Sequence, residues 1–587
     1  MLVSTVGALT GCGGKGGPNE YTMWLYKGQD TQYYSDYSEN PVLNYLLKQT
    51  WNDKNLSFTF QVPPDANSDY QTMMANGEKS YPTLLQSAVA EPAPTMYQND
   101  RILDITDYVK DYMPNYYALI QENEELRKAV QYNVDGKDRI LGIHILNEST
   151  PYDTFGGMCY RRDWIVEYGK NPSTTEKFTG GYTKENDPDA WEDNVMFPSW
   201  YNEEKKAKAL AIDPEWKGDE PFYISDWEWM FDIFKTAYTT ENPNSVNECY
   251  GISMYYPGYT WAGGLSGCFG EGGIVWYADK QGRIQFGATS DSTKAYFECF
   301  NTWYDNGWLD QRFSQRTGDA HYSIDSQGVR SNKVGMWCGV TGDLGGRIST
   351  VDGIYVAGCT FPVNDVYGTD SCKYEKPRLT NMGAKAVGQG FFVMKGADKK
   401  DLPTLFKFLD YFYTEEGAAL RTIGLNKAQL EEEGTDTSFY NKYKLSDGAY
   451  TKGEDDRYVI SKTITNDSGD LTAAASLDKF PGIQLVKSID YGYAENYENS
   501  LKAWVKYKNE GYFWGSTAFA NMSVEDVEDV QDALNKVLVY MERNAHTLIK
   551  GGIKDAGKWR TWCNDIKKFK TENISAIMQP YYDTYGA

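Results

Sequence analysis

Asp135 to Trp164 reads DGKDRILGIHILNESTPYDTFGGMCYRRDW, and the way this stretch divides decides how the rest of the chain is laid out. A polar turn at Asp135-Gly136-Lys137 leads into Ile140, Leu141, Ile143 and Ile145, whose spacing predicts a buried strand. The pattern then breaks. Asn147 to Gly157 is polar, holds Pro151 and Gly156-Gly157, and gives way to Arg161 to Tyr168, which opens a helix. The stretch is a connector between two bodies.

Length agrees with that division, because single cores stop growing at roughly 250 to 300 residues and this chain has 587. Its 58 Lys and Arg stand against 82 Asp and Glu, a net charge of -24 that repels phosphate backbones and anionic headgroups. Nucleic acid is excluded as a partner on that ground. No internal run approaches the ~20 apolar residues of a membrane span, and mean hydropathy is -0.61. Tyr outnumbers Phe, 47 to 24, and Tyr suits surfaces that are apolar on the ring face and polar at the tip. Nine Cys are scattered with no C-x-x-C, so eight read as small buried hydrophobes, with room for one bridged pair.

Working back from the connector, strand and helix alternate. Tyr21 to Tyr26 is a short strand, Pro41 to Thr50 a helix, Leu56 to Phe60 a strand, Asp69 to Glu78 a helix and Tyr81 to Gln86 a strand. That order predicts an α/β unit with a mainly parallel sheet, whose ligand-facing loops follow the strands' carboxyl ends. Lys27, Gln29, Asp30 and Gln86 stand at two such ends, and Trp24 lies within the first strand. Working forward, Asp226 to Tyr238 is a helix and Tyr250 to Met254 a strand. Tyr296, Phe297, Phe300, Trp303 and Tyr304 recur at helical spacing, a stripe that belongs in a core. A closing helix starts at Ser523-Val524-Glu525-Asp526.

Leu9-Thr10-Gly11-Cys12 and the Gly-rich run after it resemble the lipobox of bacterial lipoproteins, although no Lys or Arg precedes Cys12. Further pieces resemble, in order, the family 1 extracellular solute-binding proteins of ABC sugar importers. They include Met74-Ala75-Asn76-Gly77, Asp135-Gly136-Lys137, Arg162-Asp163-Trp164, Tyr250-Gly251-Ile252, Gly335-Met336-Trp337 and Ile549-Lys550-Gly551-Gly552. The resemblance covers nearly the whole chain after Cys12. It implies a two-lobed, periplasmic-binding-protein-like α/β fold of the maltose-binding-protein plan, with helices flanking each sheet and a ligand cleft between lobes. It also implies three crossings. Residues 1–18 would be a signal remnant and tether, 19–146 with 345–425 the first lobe, 147–157 the first hinge, and 158–344 with 426–587 the second lobe. Two inserts, Asn171 to Glu220 and Glu431 to Asp478, read as surface additions.

The implied function is that of a substrate-binding lipoprotein of a Gram-positive cell. It would be lipid-anchored at Cys12 on the outer face of the membrane, monomeric, without cofactor, and would pass a neutral oligosaccharide to a membrane permease. A sugar packs its C–H face on an aromatic ring and hydrogen-bonds around its rim. The ligand residues expected are therefore Trp24, Lys27, Gln29, Asp30 and Gln86 on the first lobe, and Tyr259, Trp261 and Trp337 on the second. Some relatives carry a calcium loop before the Y-G-I strand. Asn242, Asn244, Asn247 and Glu248 occupy that place but lack its leading Asp and its turn Gly. Two other classes stay open: a secreted glycoside hydrolase, which needs two flanking carboxylates, and a peptide or lipid-headgroup binder on the same fold. No G-x-S-x-G, H-E-x-x-H or P-loop is present.

Overall fold

The computed structural model describes residues 17, 19–26, 33–134, 136–148, 156–178, 195–242, 250–252, 265–270, 275–315, 332–340, 354–378, 387–465, 471–490, 496–507 and 522–585. The chain divides into two units, one of Met1–Thr150 and Lys385–Tyr491, the other of Pro151–Ala384 and Gly492–Ala587. It therefore passes between them three times. In chain order the main sheets use β1 (Glu20–Trp24), β2 (Ser57–Gln61), β3 (Leu84–Gln86), β4 (Ile143–Asn147), β5 (Gly156–Arg161), β6 (Tyr250–Ile252), β7 (Val334–Val340), β8 (Val356–Cys359), β9 (Val387–Val393) and β10 (Gly482–Gln484).

The first unit's sheet has the order β10-β4-β9-β3-β1-β2. β9 runs antiparallel to both its neighbours, while the pairs β1 with β2, β1 with β3 and β10 with β4 are parallel. Alternation along β1 sends Tyr21 and Met23 to one apolar cluster and Trp24 to another, so both faces of the sheet are covered. The helix Pro41–Lys48 begins where Asn40 accepts from the N–H groups of Val42 and Leu43, both at 3.0 Å. Asn40 is itself fully buried and donates from Nδ2 to Ser476 O at 2.6 Å, which pins the 471–476 segment to this helix.

The second unit's four-stranded sheet has the order β8-β5-β7-β6. β7 is parallel to β6, and β5 is antiparallel to β7 and β8. The helix Asn496–Val505 lies against β8 and β5 through Trp504, whose Nε1 donates to Met158 O at 2.8 Å. A Cβ on Gly157 would sit 2.3 Å from Trp504 Cγ, so Gly157 of the connector is needed here for packing. Tyr296, Phe297, Phe300 and Trp303 of the helix Asp291–Asp305 are fully buried, as their spacing implies. Cys159, Cys268, Cys299, Cys359 and Cys372 are buried free thiols and Cys563 is half-buried and free.

The first passage, between Thr150 and Pro151, falls within the expected 147–157. The other two boundaries differ from the expectation. Residues 345–384 belong to the second unit, because the wholly buried β8 pairs with β5. Residues 426–491 belong to the first, because β10 adds to β4 and the supposed surface insert buries Tyr440, Leu445, Tyr450, Tyr458, Leu471 and Leu477 in the first unit's core. The buried guanidinium of Arg421 reinforces this by donating to Phe480 O at 2.7 Å, Gln484 Oε1 at 2.6 Å and Asp478 O at 3.0 Å. Polar composition concealed a segment whose few apolar residues recur where the sheet needs them.

Candidate functional site

The carboxyl ends of the first unit's parallel strands carry a row of amide side chains: Gln61 at the end of β2, Gln86 of β3, Asn147 of β4 and Gln484 of β10. Ligands of open α/β sheets bind at this edge, because loops and not ladders follow it. β9, running the other way, brings Gln389 to the same edge. Val387 faces Leu146 but Gly390 faces His144, so β9 holds one extra residue there, a bulge spanning Gly388-Gln389-Gly390. Bulges re-aim side chains. Gln389 is exposed, while a Cβ on Gly390 would lie 2.8 Å from the His144 ring, which only glycine tolerates.

Gln86 is 6% exposed and fully engaged. Its Oε1 accepts from Tyr26 N at 2.7 Å and its Nε2 donates to Gln389 Oε1 at 2.6 Å. Ser87 Oγ accepts from Gly390 N at 3.0 Å. Behind the bulge His144 is buried, with Nδ1 3.1 Å from Tyr116 Oη, and burial lowers its imidazole to about 4. The rear of the site is thus a neutral, rigid wall.

Of the residues expected to touch ligand, the structure brings Gln86 to this edge as a support buried beneath Gln389. It withdraws two tryptophans. Trp24 is 3% exposed and packs with Tyr70, Met73, Leu85, Met96 and Phe392, because its place in β1 faces the covered side of the sheet. Trp337 is fully buried with Val334, Val356, Leu501 and Trp504, and its Nε1 has no partner among the described residues. Neither ring offers a stacking face. Lys27, Gln29, Asp30, Tyr259, Trp261, Asn244, Asn247, Glu248 and Cys12 lie outside the described residues. Gln389 was missed by sequence reasoning, although the G-Q-G triplet inside an apolar strand is the signature of a bulge.

Of the four residues in the calcium-loop position, Asn242 alone lies among the described residues. Asn242 serves as the C-cap of the helix Ile224–Glu241, its N–H reaching Tyr238 O at 2.8 Å and its Nδ2 the same oxygen at 3.3 Å. The seven residues from Asn242 hold one carboxylate, that of Glu248. Among the described residues, no three His, Cys, Asp or Glu are disposed to hold a metal. No described helix is long and apolar enough to cross a membrane.

No family model matches the chain, and no curated protein matches it in sequence. Solved structures do match over almost its full length. An extracellular solute-binding protein from Bifidobacterium longum subsp. infantis superposes with a TM-score of 0.65 at 15% identity, covering 97% of this chain and 99% of that chain. The S. pneumoniae ABC-transporter substrate binding protein FusA, in complex with kestose, gives 0.61 at 14%, covering 96% and 98%. An HMO binding ABC-transporter associated solute binding protein from Bifidobacterium longum infantis ATCC 15697 gives 0.62 at 14%, covering 97% and 99%. The chain has the two-lobed α/β fold of these solute-binding proteins.

Proposed function

We propose that this chain is the substrate-binding lipoprotein of an ABC transporter, that it captures a neutral oligosaccharide, and that it delivers it to a membrane permease without cleaving it. The observation that carries the reading is the match of the whole fold, 96 to 97% of the chain, to binding proteins for which kestose and HMO are named as ligands. The row of uncharged amides at the sheet edge supports it, since Asn and Gln both donate and accept and so suit hydroxyls. Lys27, Gln29 and Asp30 after β1, and Tyr259 and Trp261 after β6, are assigned to ligand contact, and Cys12 to the lipid anchor that keeps the protein on the outer face of a Gram-positive cell.

A thermal-shift screen against neutral oligosaccharides tests the reading. A ligand at 100 times its dissociation constant adds about 2.7 kcal/mol to the folded state, which raises the melting midpoint measurably. A midpoint unmoved by every neutral oligosaccharide, but raised by peptides, would transfer the function to peptide uptake.

A further inference from the structure

The contacts among Tyr26, Gln86 and Gln389 have a direction. A backbone N–H can only donate, so the Gln86 atom 2.7 Å from Tyr26 N is the carbonyl Oε1. The other end of the same amide, Nε2, then faces Gln389 across 2.6 Å and must meet an acceptor, the Gln389 Oε1. The orientation of an exposed amide, normally ambiguous, is fixed here by a buried one. Its NH2 group is turned away from the relay, and no acceptor among the described residues meets it.

Ser87 is placed in the same sense. Its Oγ already accepts from Gly390 N, which leaves its hydroxyl proton and one lone pair to offer. The bulge therefore gathers two amide hydrogens and one hydroxyl hydrogen, all donors and none charged, at the carboxyl edge of the parallel strands.

We infer that Gln389 is a specificity-determining ligand contact, oriented by Gln86, which with Ser87 recognises an uncharged oxygen acceptor on the bound saccharide. This assignment rests on the oligosaccharide reading above. Three hydrogens offered together favour a ring oxygen, a hydroxyl lone pair or an acetamido carbonyl, while the second lone pair of Ser87 Oγ can accept from a hydroxyl. Being neutral, the patch has no ion-pair energy to offer a carboxylate.

The test uses the full chain and calorimetric titration with kestose, maltotriose and lacto-N-tetraose, beside the melting midpoint of each variant without ligand. Gln389→Ala removes an exposed amide and is expected to weaken whichever probe binds about three- to tenfold, with the midpoint unchanged. Gln389→Glu keeps an acceptor for Gln86 but turns the outward donor into a carboxylate oxygen, and is expected to weaken the same probe further. A residue with a purely structural role would shift the midpoint and not the affinity. If wild-type protein binds a probe and both variants bind it equally well, the assignment is overturned while the oligosaccharide reading stands. If wild-type protein binds none of the probes, both fall.

Discussion

Glu148 Oε2 accepts from the backbone N–H of Ser488 at 2.9 Å, and from Val486 N at 3.0 Å, while the Ser488 hydroxyl donates to Glu148 Oε1. Glu148 follows β4 just before the first passage out of the first unit, and Val486 to Ser488 follow β10 just before the third. One carboxylate thus joins the two segments on their own unit. Glu148→Ala leaves the partly buried N–H of Ser488 and the exposed N–H of Val486 without their acceptor and is expected to cost about 1 to 2 kcal/mol. Glu148→Gln, which keeps one acceptor oxygen, should cost less. Denaturant unfolding of the two variants checks the order.

His144 sets a pH dependence for the first unit. Burial holds its imidazole at about 4 in the folded chain, against 6.5 when unfolded. Between these values the unfolded chain binds a proton that the folded chain refuses. The contribution is complete above pH 6.5 and is lost as pH falls toward 4, about 3 kcal/mol in all at 1.36 kcal/mol per unit. Melting midpoints from pH 7 to 4.5 should fall less steeply for His144→Gln than for the wild type.

Glu220, in the second unit, has the opposite sign. Burial first, and then the neighbouring Asp219, raise its carboxyl to about 7, against the opposing charges of Lys506 and Arg162. The folded chain keeps this proton where the unfolded chain releases it, so stability is present below pH 4.5 and is lost as pH rises through 7. Glu220→Gln is expected to raise the midpoint at pH 8 and to leave it unaltered at pH 4.5, a comparison that scanning calorimetry makes directly.

Trp337 is the sharpest departure from the sequence reading. As a fully buried ring it should behave as core: Trp337→Ala is expected to cost about 3 to 5 kcal/mol. Trp337→Phe should cost much less, because it also removes an indole N–H that has no partner among the described residues. Urea unfolding separates these from a ligand-stacking role, which would spare stability in both.

The alternation of short strands and helices before the connector was legible because one face of each element is apolar at its own period, as in Tyr21, Met23 and Leu25. The connector was legible because Pro and Gly interrupt that period. The direction in which Trp24 and Trp337 point was not, since β1 and β7 belong to sheets covered on both faces, where a ring can be buried on either side. The return of 426–491 to the first unit was hidden for another reason. It rests on a three-residue strand and on Arg421, contacts that no local pattern announces. Gln389 required knowing that Gly390 lies against His144.

The central claim, capture of a neutral oligosaccharide without cleavage, is tested most directly by native mass spectrometry of the full chain with kestose, maltotriose and lacto-N-tetraose. The expected result is a complex of one protein with one sugar, with the released sugar at its original mass after prolonged incubation. No adduct with any of the three, or a released sugar shortened by one or more units, would contradict it.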